Sequence, residues 1–453
     1  MRARAAWLTT ALLVAACQAS PQPPSAAPGP SIQSFTAEPP ALYPGETVRL
    51  VPIFSGGAGV IEPDIGPVDS GQPVSLKPGT TPKTFVLRVG DGGRSASAEL
   101  PLAVAYRHLL DRVPGGLPRT DHGAGLLPDG RVVLAGGLTG AGWEWRTEVW
   151  DPATGEYALA GELDIPHAEA TTLVDGKGRL LLTGGHDAYG PLESALVHAF
   201  DPSTGGWTLL KYPMLEERYL HSATLLPSGE ILVAGGDFLG KRPGSVVTEE
   251  IYDPGGAAPR RPAGGPMSFP RYGHTATTLP DGTILLAGGR SAFTGVVVPV
   301  AELYDPATET FTPIGDMRVG RALHVAAPLP GGRVLLAGGD TDVEDATPSA
   351  EVYDAADRTF TLVGPLHAGR TFHASVPLAS GEVLVAGGMA PDGALLDTIE
   401  IFDPARQAFA VSDGRLASGR MGLALVRLPD GSVLVHGGRT SSGAPDGVAG
   451  VYR

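Results

Sequence analysis

The sequence predicts an all-β protein: a long array of four-stranded units behind a small β-sandwich. Three observations lead there. A double glycine recurs at Gly136/Gly137, Gly184/Gly185, Gly235/Gly236, Gly288/Gly289, Gly338/Gly339, Gly387/Gly388 and Gly437/Gly438. Successive copies lie about 50 residues apart, and each carries the same order of apolar runs and turns, so one supersecondary unit is stacked on its neighbours. Ahead of the array, short runs alternate apolar and polar residues instead.

The N-terminus comes first. Arg2 and Arg4, an apolar run from Ala5 to Ala16 and the closing Val14-Ala-Ala-Cys17 read as a secretory signal over residues 1–16. Cys17 is the sole cysteine, so no disulfide framework exists. The small residues before it resemble a bacterial lipobox. That resemblance implies cleavage before Cys17, its lipidation, export across the inner membrane and a cell-envelope location held by lipid alone. Residues 17–30, rich in Ser, Pro, Ala and Gln, read as a tether.

Residues 31–105 read as a β-sandwich. Phe85, Leu87 and Val89 alternate with Val86 and Arg88, Gly90-Asp-Gly-Gly93 turns the chain, and Ala96, Ala98 and Leu100 continue the alternation. That pattern is a hairpin with one buried face. Thr47-Val-Arg-Leu-Val51 reads as a further strand. Phe35-Thr-Ala-Glu-Pro39 and Pro44-Gly-Glu-Thr-Val48 resemble phrases of bacterial immunoglobulin-like domains, which implies a spacer or an adhesive module.

Residues 106–453 hold the array. The first strand of each unit follows Arg-x-x-His and ends at a Leu-Pro-Asp-Gly-type turn such as Leu279–Gly282. The second is rich in Val, Ile and Leu and ends on the double glycine. The third ends in aromatic-Asp-Pro, as at Tyr304-Asp-Pro306, and the fourth carries an aromatic such as Phe311. Apolar runs without strict alternation suit sheets covered on both faces. The seventh copy stops at Arg453 without a fourth strand. Residues 106–114 supply one, with Leu109 at the aromatic position and Gly115 where other units carry Met or Leu.

Double glycine, aromatic-Asp-Pro, then Trp or Phe and Met resemble kelch motifs. The resemblance covers about three-quarters of the chain and implies a seven-bladed kelch-type β-propeller, similar to the central domain of galactose oxidase. Such proteins are mostly binding scaffolds and in a minority enzymes, so the fold does not choose between them.

The repeated ionisable groups are Arg119/His122, Arg218/His221, Arg271/His274, Arg321/His324 and Arg370/His373, with Glu148, Glu250, Glu302, Glu351 and Glu400. Catalysis needs convergent, non-equivalent groups, and one set per blade is the opposite. These residues are therefore expected to tie strands or blades together. In blade two His167, Ala170 and His198 replace Arg, His and Glu. His167, His186 and His198 are the weak candidates for a metal site, and none is expected. In blade seven Arg420 remains, while Leu423 and Gly450 replace its partners.

Function is expected in the loops between strands two and three, because variable loops on a rigid scaffold carry binding. Their aromatic residues Trp143, Trp145, Tyr189, Phe238 and Phe293 are the ligand-binding candidates. The acidic stretch Asp340–Asp345 lacks EF-hand spacing and reads as a solvated turn. The propeller has no cysteine for a Tyr–Cys cofactor, no sialidase-type box and no phosphate loop, and no further domain follows to donate a copper ligand. No cofactor is expected, and the reading leans away from an enzyme. A charge of −15 excludes nucleic acid, which needs clustered Lys and Arg. The expected function is thus a monomeric, lipid-anchored binding module for an envelope protein or glycan. The alternative is a carbohydrate-active or sugar-acid isomerase-type propeller enzyme.

Overall fold

A computed structural model describes residues 29–42, 44, 47–77, 81–106, 108, 110–188, 194–237, 249–255 and 260–453. Every regular element among them is a β-strand. The signal, Cys17, Tyr189 and Phe238 lie outside the described residues.

The chain divides into two compact units. One comprises residues up to Ala37, Leu50–Val74 and Thr84–Leu100; the other comprises Glu38–Arg49, Ser75–Lys83 and Pro101–Arg453. In the N-terminal segment, Ser31–Glu38, Val48–Ser55 and Val74–Leu76 form a three-stranded sheet. Gly66–Val68, Ala58–Glu62, Lys83–Gly90 and Ser95–Leu102 form a four-stranded one in that spatial order. The alternation at Phe85, Leu87 and Val89 puts all three in the core. Asp91 Oδ1 closes the hairpin turn by accepting from Gly93 N at 3.1 Å and Arg94 N at 2.8 Å.

Among its described residues, the second unit holds seven four-stranded antiparallel sheets. The fifth is typical, with strands Val325–Leu329, Arg333–Ala337, Ala350–Asp354 and Thr359–Leu362 in sequence order across the sheet. Its aromatic-Asp turn works as the sequence suggests. Tyr353 pairs with Phe360 across the third and fourth strands, ring centroids 4.9 Å apart. Second strands such as Val334–Ala337 are buried along their length because neighbouring sheets cover both faces. Leu335 and Val352 of the fifth sheet, for example, pack in one cluster with Val383, Val385 and Phe402 of the sixth. Each such aliphatic side chain contributes about 1.5–3 kcal/mol by leaving water.

The first strand of each sheet neighbours that of the next, and Ala424–Arg427 of the seventh neighbours Gly123–Leu126 of the first. The arrangement is propeller-like. The seventh sheet takes Leu110–Val113 as its fourth strand, paired antiparallel to Ala449–Tyr452. Here one expectation is corrected. Tyr452 pairs with Leu110, so Leu110 and not Leu109 holds the position that aromatics occupy elsewhere. The register is set from Tyr452, whose hydroxyl lies 2.7 Å from His108 Nδ1 and 3.3 Å from Ser412 Oγ.

Candidate functional site

The repeated charges act within each sheet. Arg321 donates to Glu351 at 3.0 Å, to the Gly338 carbonyl at 2.9 Å and to the Ser349 carbonyl at 2.8 Å. Glu351 also accepts the Arg318 backbone N–H at 2.7 Å. Arg119–Glu148, Arg218–Glu250, Arg271–Glu302 and Arg370–Glu400 repeat the pairing. All five guanidiniums are buried, and such burial is tolerable only because each charge is paired and hydrogen-bonded. These groups brace the approach to strand one against strand three.

The histidines act between sheets. His221 Nε2 lies 3.0 Å from Thr183 Oγ1 of the preceding sheet, His274 Nε2 2.9 Å from Ser222 Oγ, and His324 Nε2 3.1 Å from Thr275 Oγ1. His373 Nε2 reaches the Ala337 carbonyl at 3.2 Å, and His122 Nε2 meets His436 Nδ1 of the seventh sheet at 3.2 Å. Burial first, then the arginine in the same sheet, lowers His274 and His373 to about 3. They stay neutral, which suits hydrogen-bonded rivets and rules them out as proton carriers near neutral pH.

The double glycine belongs to the same joint. A Cβ on Gly338 would stand 2.6 Å from His373 Cε1 and 2.8 Å from the Arg370 carbonyl, both in the next sheet. Gly339, with φ +91°, donates its N–H to that carbonyl at 2.8 Å. The motif therefore needs two positive-φ residues without side chains where two sheets touch.

Two sheets depart from the pattern, each with a visible compensation. In the second, His167 Nδ1 lies 2.9 Å from the Gly184 carbonyl and His167 Nε2 3.0 Å from His198 Nδ1. His198 Nε2 lies 2.7 Å from Asp164 Oδ1. The two histidines thus take the places of Arg and Glu. Every ring nitrogen of the pair has a protein partner, and His186 lies across the short ladder from Ala168. In the seventh sheet Arg420 pairs with Asp446 at 3.1 Å. A Cβ at Gly450 would stand 2.8 Å from Leu110 Cδ1 of the closing strand, so the repeat glutamate would crowd that leucine.

Of the aromatic loop candidates, Trp143 is half-buried in a short ladder opposite Leu138, and Trp145 is half-buried beside it. Phe293 is exposed. The acidic loop is no simple solvated turn: Arg290 donates to Asp340 at 2.7 Å and to Asp342 at 3.3 Å, locking the fourth-sheet loop to the fifth.

A different constellation lies where the inner strands converge. The residue two after each arginine position adopts a left-handed backbone: Asp121, Glu169, Leu220, Gly273, Leu323, Phe372 and Gly422, with φ from +52° to +65°. Backbone bonds join neighbours, including Glu169 N to the Asp121 carbonyl at 2.9 Å and Leu323 N to the Gly273 carbonyl at 2.9 Å. Here the residues vary: Asp, Glu, Phe, two Leu and two Gly fill the seven slots. A cavity of about 260 Å³ is lined by Glu169, Thr171, Leu220, Leu323, Phe372 and the edges of three histidines, from five different sheets. Glu169 Oε2 lies 3.5 Å from His186 Nε2, and the His186 ring packs 4.8 Å from that of Tyr219. Thr120 Oγ1 donates to Asp121 Oδ2 at 3.1 Å. Burial, then the charge of Glu169, raises the Asp121 carboxyl above the usual range, while Arg439 opposes the shift.

Sequence reasoning missed this ring because it followed what repeats. The signal was present as a slot two residues after the Arg position that holds five residue types in seven copies, against the near-constant Arg beside it. A larger hollow of about 630 Å³ lies in the N-terminal unit, beside Phe54, Pro67 and Val74, but Asp69 is its sole charged residue. It offers no chemistry.

No protein-family model matches the chain, and no curated protein matches it. Among solved structures it is similar to a fungal alcohol oxidase of the AA5 family, determined in complex with copper. The identity is 19%, the TM-score 0.60, and the likeness covers 74% of each chain. The residues here do not fit a copper site of their own: among the described residues no three His, Cys, Asp or Glu side chains are grouped to hold a metal ion. What the likeness shows is the fold, an all-β, propeller-like architecture of the galactose-oxidase kind.

Proposed function

We propose that this chain is a carbohydrate-active enzyme of acid–base type, working at the central mouth of a closed seven-bladed kelch-type propeller. The observation that carries the reading is the pair Asp121 and Glu169. The two carboxyl groups belong to neighbouring, hydrogen-bonded residues and are not repeated in the other sheets, burial and its neighbour's charge keep Asp121 protonated more readily, and Glu169 lines a cavity with an apolar wall. Paired carboxyls in unlike environments are what general acid–base chemistry on sugars requires. In this reading Asp121 gives a proton to a sugar oxygen and Glu169 accepts one. Leu220, Leu323 and Phe372 present apolar surface to the ring face. The similarity to an alcohol oxidase supports the enzyme reading over the binding module in fold only.

The setting we propose is the cell envelope, with Cys17 lipidated, residues 17–30 as tether and an Ig-like spacer ahead of a monomeric propeller. Mass spectrometry of the mature N-terminus checks the lipid, and an unmodified Cys17 ends that part. For the activity, the test is a glycan turnover and binding screen on residues 31–453. Asp121→Asn and Glu169→Gln are expected to lower turnover by about 10²–10⁴-fold with binding retained. Binding without turnover, unaffected by either substitution, would return the protein to the second reading, a glycan- or protein-binding module. That reading is favoured by the Arg290-locked loop carrying exposed Phe293.

A further inference from the structure

The buried pair His167–His198 holds a proton that its geometry counts. Three contacts run in a line: Gly184 carbonyl to His167 Nδ1 at 2.9 Å, His167 Nε2 to His198 Nδ1 at 3.0 Å, and His198 Nε2 to Asp164 Oδ1 at 2.7 Å. Both ends of the line are oxygens that accept. A carbonyl has no proton to give, so His167 Nδ1 must carry one. With Nδ1 protonated, a neutral His167 offers only a lone pair at Nε2, so His198 Nδ1 must donate to it. His198 is then neutral with a bare Nε2, facing a carboxylate at hydrogen-bond distance. Two lone pairs cannot hold that contact. One further proton is required there.

We infer that His167, His198 and Asp164 form a proton-operated latch: the assembly closes by binding one proton between His198 Nε2 and Asp164 Oδ1, and opens by losing it. With the proton the assembly is neutral overall, as each Arg–Glu pair of the other sheets is. The difference is that a guanidinium keeps its charge at any physiological pH, whereas an imidazole releases its proton within that range. The second sheet therefore carries a titratable joint where five others carry permanent ones.

The surroundings fix where the labile proton sits. Both histidine rings are buried, while the Asp164 side chain is 60% exposed. Burial presses His167 down to about 4 despite the Gly184 carbonyl and the charges of Asp187 and Asp164. His198 is also lowered by burial, and there Asp164 and Asp187 oppose the shift. His167 thus remains the neutral inner member, and the proton exchanges at the solvent end. Asp187, opposite His167 across the short ladder, is the other charged group bearing on the pair, and the Trp207 ring stands 6.5 Å from that of His198. On proton loss the Asp164 carboxylate swings into water and His198 Nε2 is left facing the gap. The strand so released is His167–Ala168, which leads directly into Glu169 at the mouth. The inference itself stands on the hydrogen-bond line and needs no assumption about what the mouth does.

Nitrogen NMR of the full chain with ¹⁵N-labelled histidine reads the proton count directly. Below the transition His198 should show both ring nitrogens protonated or sharing a proton with Asp164. In a titration over about pH 4–8, His198 should show one neutral tautomer above the transition, which burial places on the acid side of the ordinary imidazole value. Asp164→Asn, whose amide can turn and donate to Nε2, should abolish the transition while the protein stays folded. His167→Arg combined with His198→Glu rebuilds the pair used by the other sheets. Because burial lowers both histidines, the unfolded chain binds more protons than the folded one below the ordinary imidazole value of about 6.5, so the parent's folded-to-unfolded ratio should fall as the pH drops through that region, and the rebuilt pair should lose this dependence. A His198 signal that stays neutral across that range, or one that titrates unchanged in Asp164→Asn, would overturn the latch.

Discussion

Gly438 donates its backbone N–H to the carbonyl of Arg119, 3.0 Å away, joining the last repeat to the first. The same bond runs from Gly185 to Arg218, from Gly236 to Arg271, from Gly289 to Arg321, from Gly339 to Arg370 and from Gly388 to Arg420. Gly137 makes it to His167, the residue in the arginine position of the second sheet. The array is thus stitched sheet to sheet by main-chain bonds that do not depend on which side chain fills the slot.

The joint is tightest at the first glycine. Gly338→Ala would place a methyl 2.6 Å from His373 Cε1 at φ +68°. We expect a loss of about 2–4 kcal/mol from the left-handed backbone and the crowding together. Urea unfolding measures it, and a loss below about 0.5 kcal/mol would contradict the packing described.

The arginine–glutamate pairs should behave as buried ion pairs do. Arg321→Met alone leaves Glu351 charged and buried, with an expected cost of about 3–5 kcal/mol. Arg321→Met with Glu351→Leu should recover most of that loss, since no buried charge remains. A double-mutant cycle in denaturant decides it. If the double variant is no better than the single, the pair is more than a brace.

Arg420 has a substitute partner, and its reason is steric. Asp446→Ala should cost about 3 kcal/mol by leaving Arg420 buried without its carboxylate. Gly450→Glu should not rescue that variant, because Leu110 fills the space. Adding Leu110→Ala should allow partial rescue. Thermal unfolding of the three variants checks the order.

Glu249 is buried in a slot that holds Ala301, Ala350 and Ala449 in other sheets, and its Oε1 has no hydrogen-bond partner among the described residues. Burial raises its carboxyl. The unfolded chain ionises this group near the ordinary value, about 4.3, and so binds fewer protons than the folded chain just above that pH. Folding stability is therefore drawn down as pH rises from the unfolded value to the folded one, and stays down above it. Glu249→Ala should stabilise the protein by about 1 kcal/mol at pH 7 and by less at acid pH. Equal effects at both ends would exclude the ionisation as the cause.

What the sequence by itself determined is everything that repeats. Seven double glycines, the aromatic-Asp turns and the apolar second strands dictated seven four-stranded sheets, because each unit is a local element with its own turn chemistry. The exchange of His167 with His198 already marked the Arg and Glu slots as contacting. The missing fourth strand after Tyr452 pointed to residues 106–114. Tertiary structure alone decided three things. It set the closing register at Leu110, since pairing across more than 300 residues carries no local signal. It assigned Asp446 to Arg420, because the obstacle at Gly450 comes from a strand distant in sequence. It brought Glu169, Leu220, Leu323 and Phe372 to one opening from four different sheets, and that convergence exists only once the sheets stand side by side. A repeat is written in the chain; a site on its axis is made by assembly.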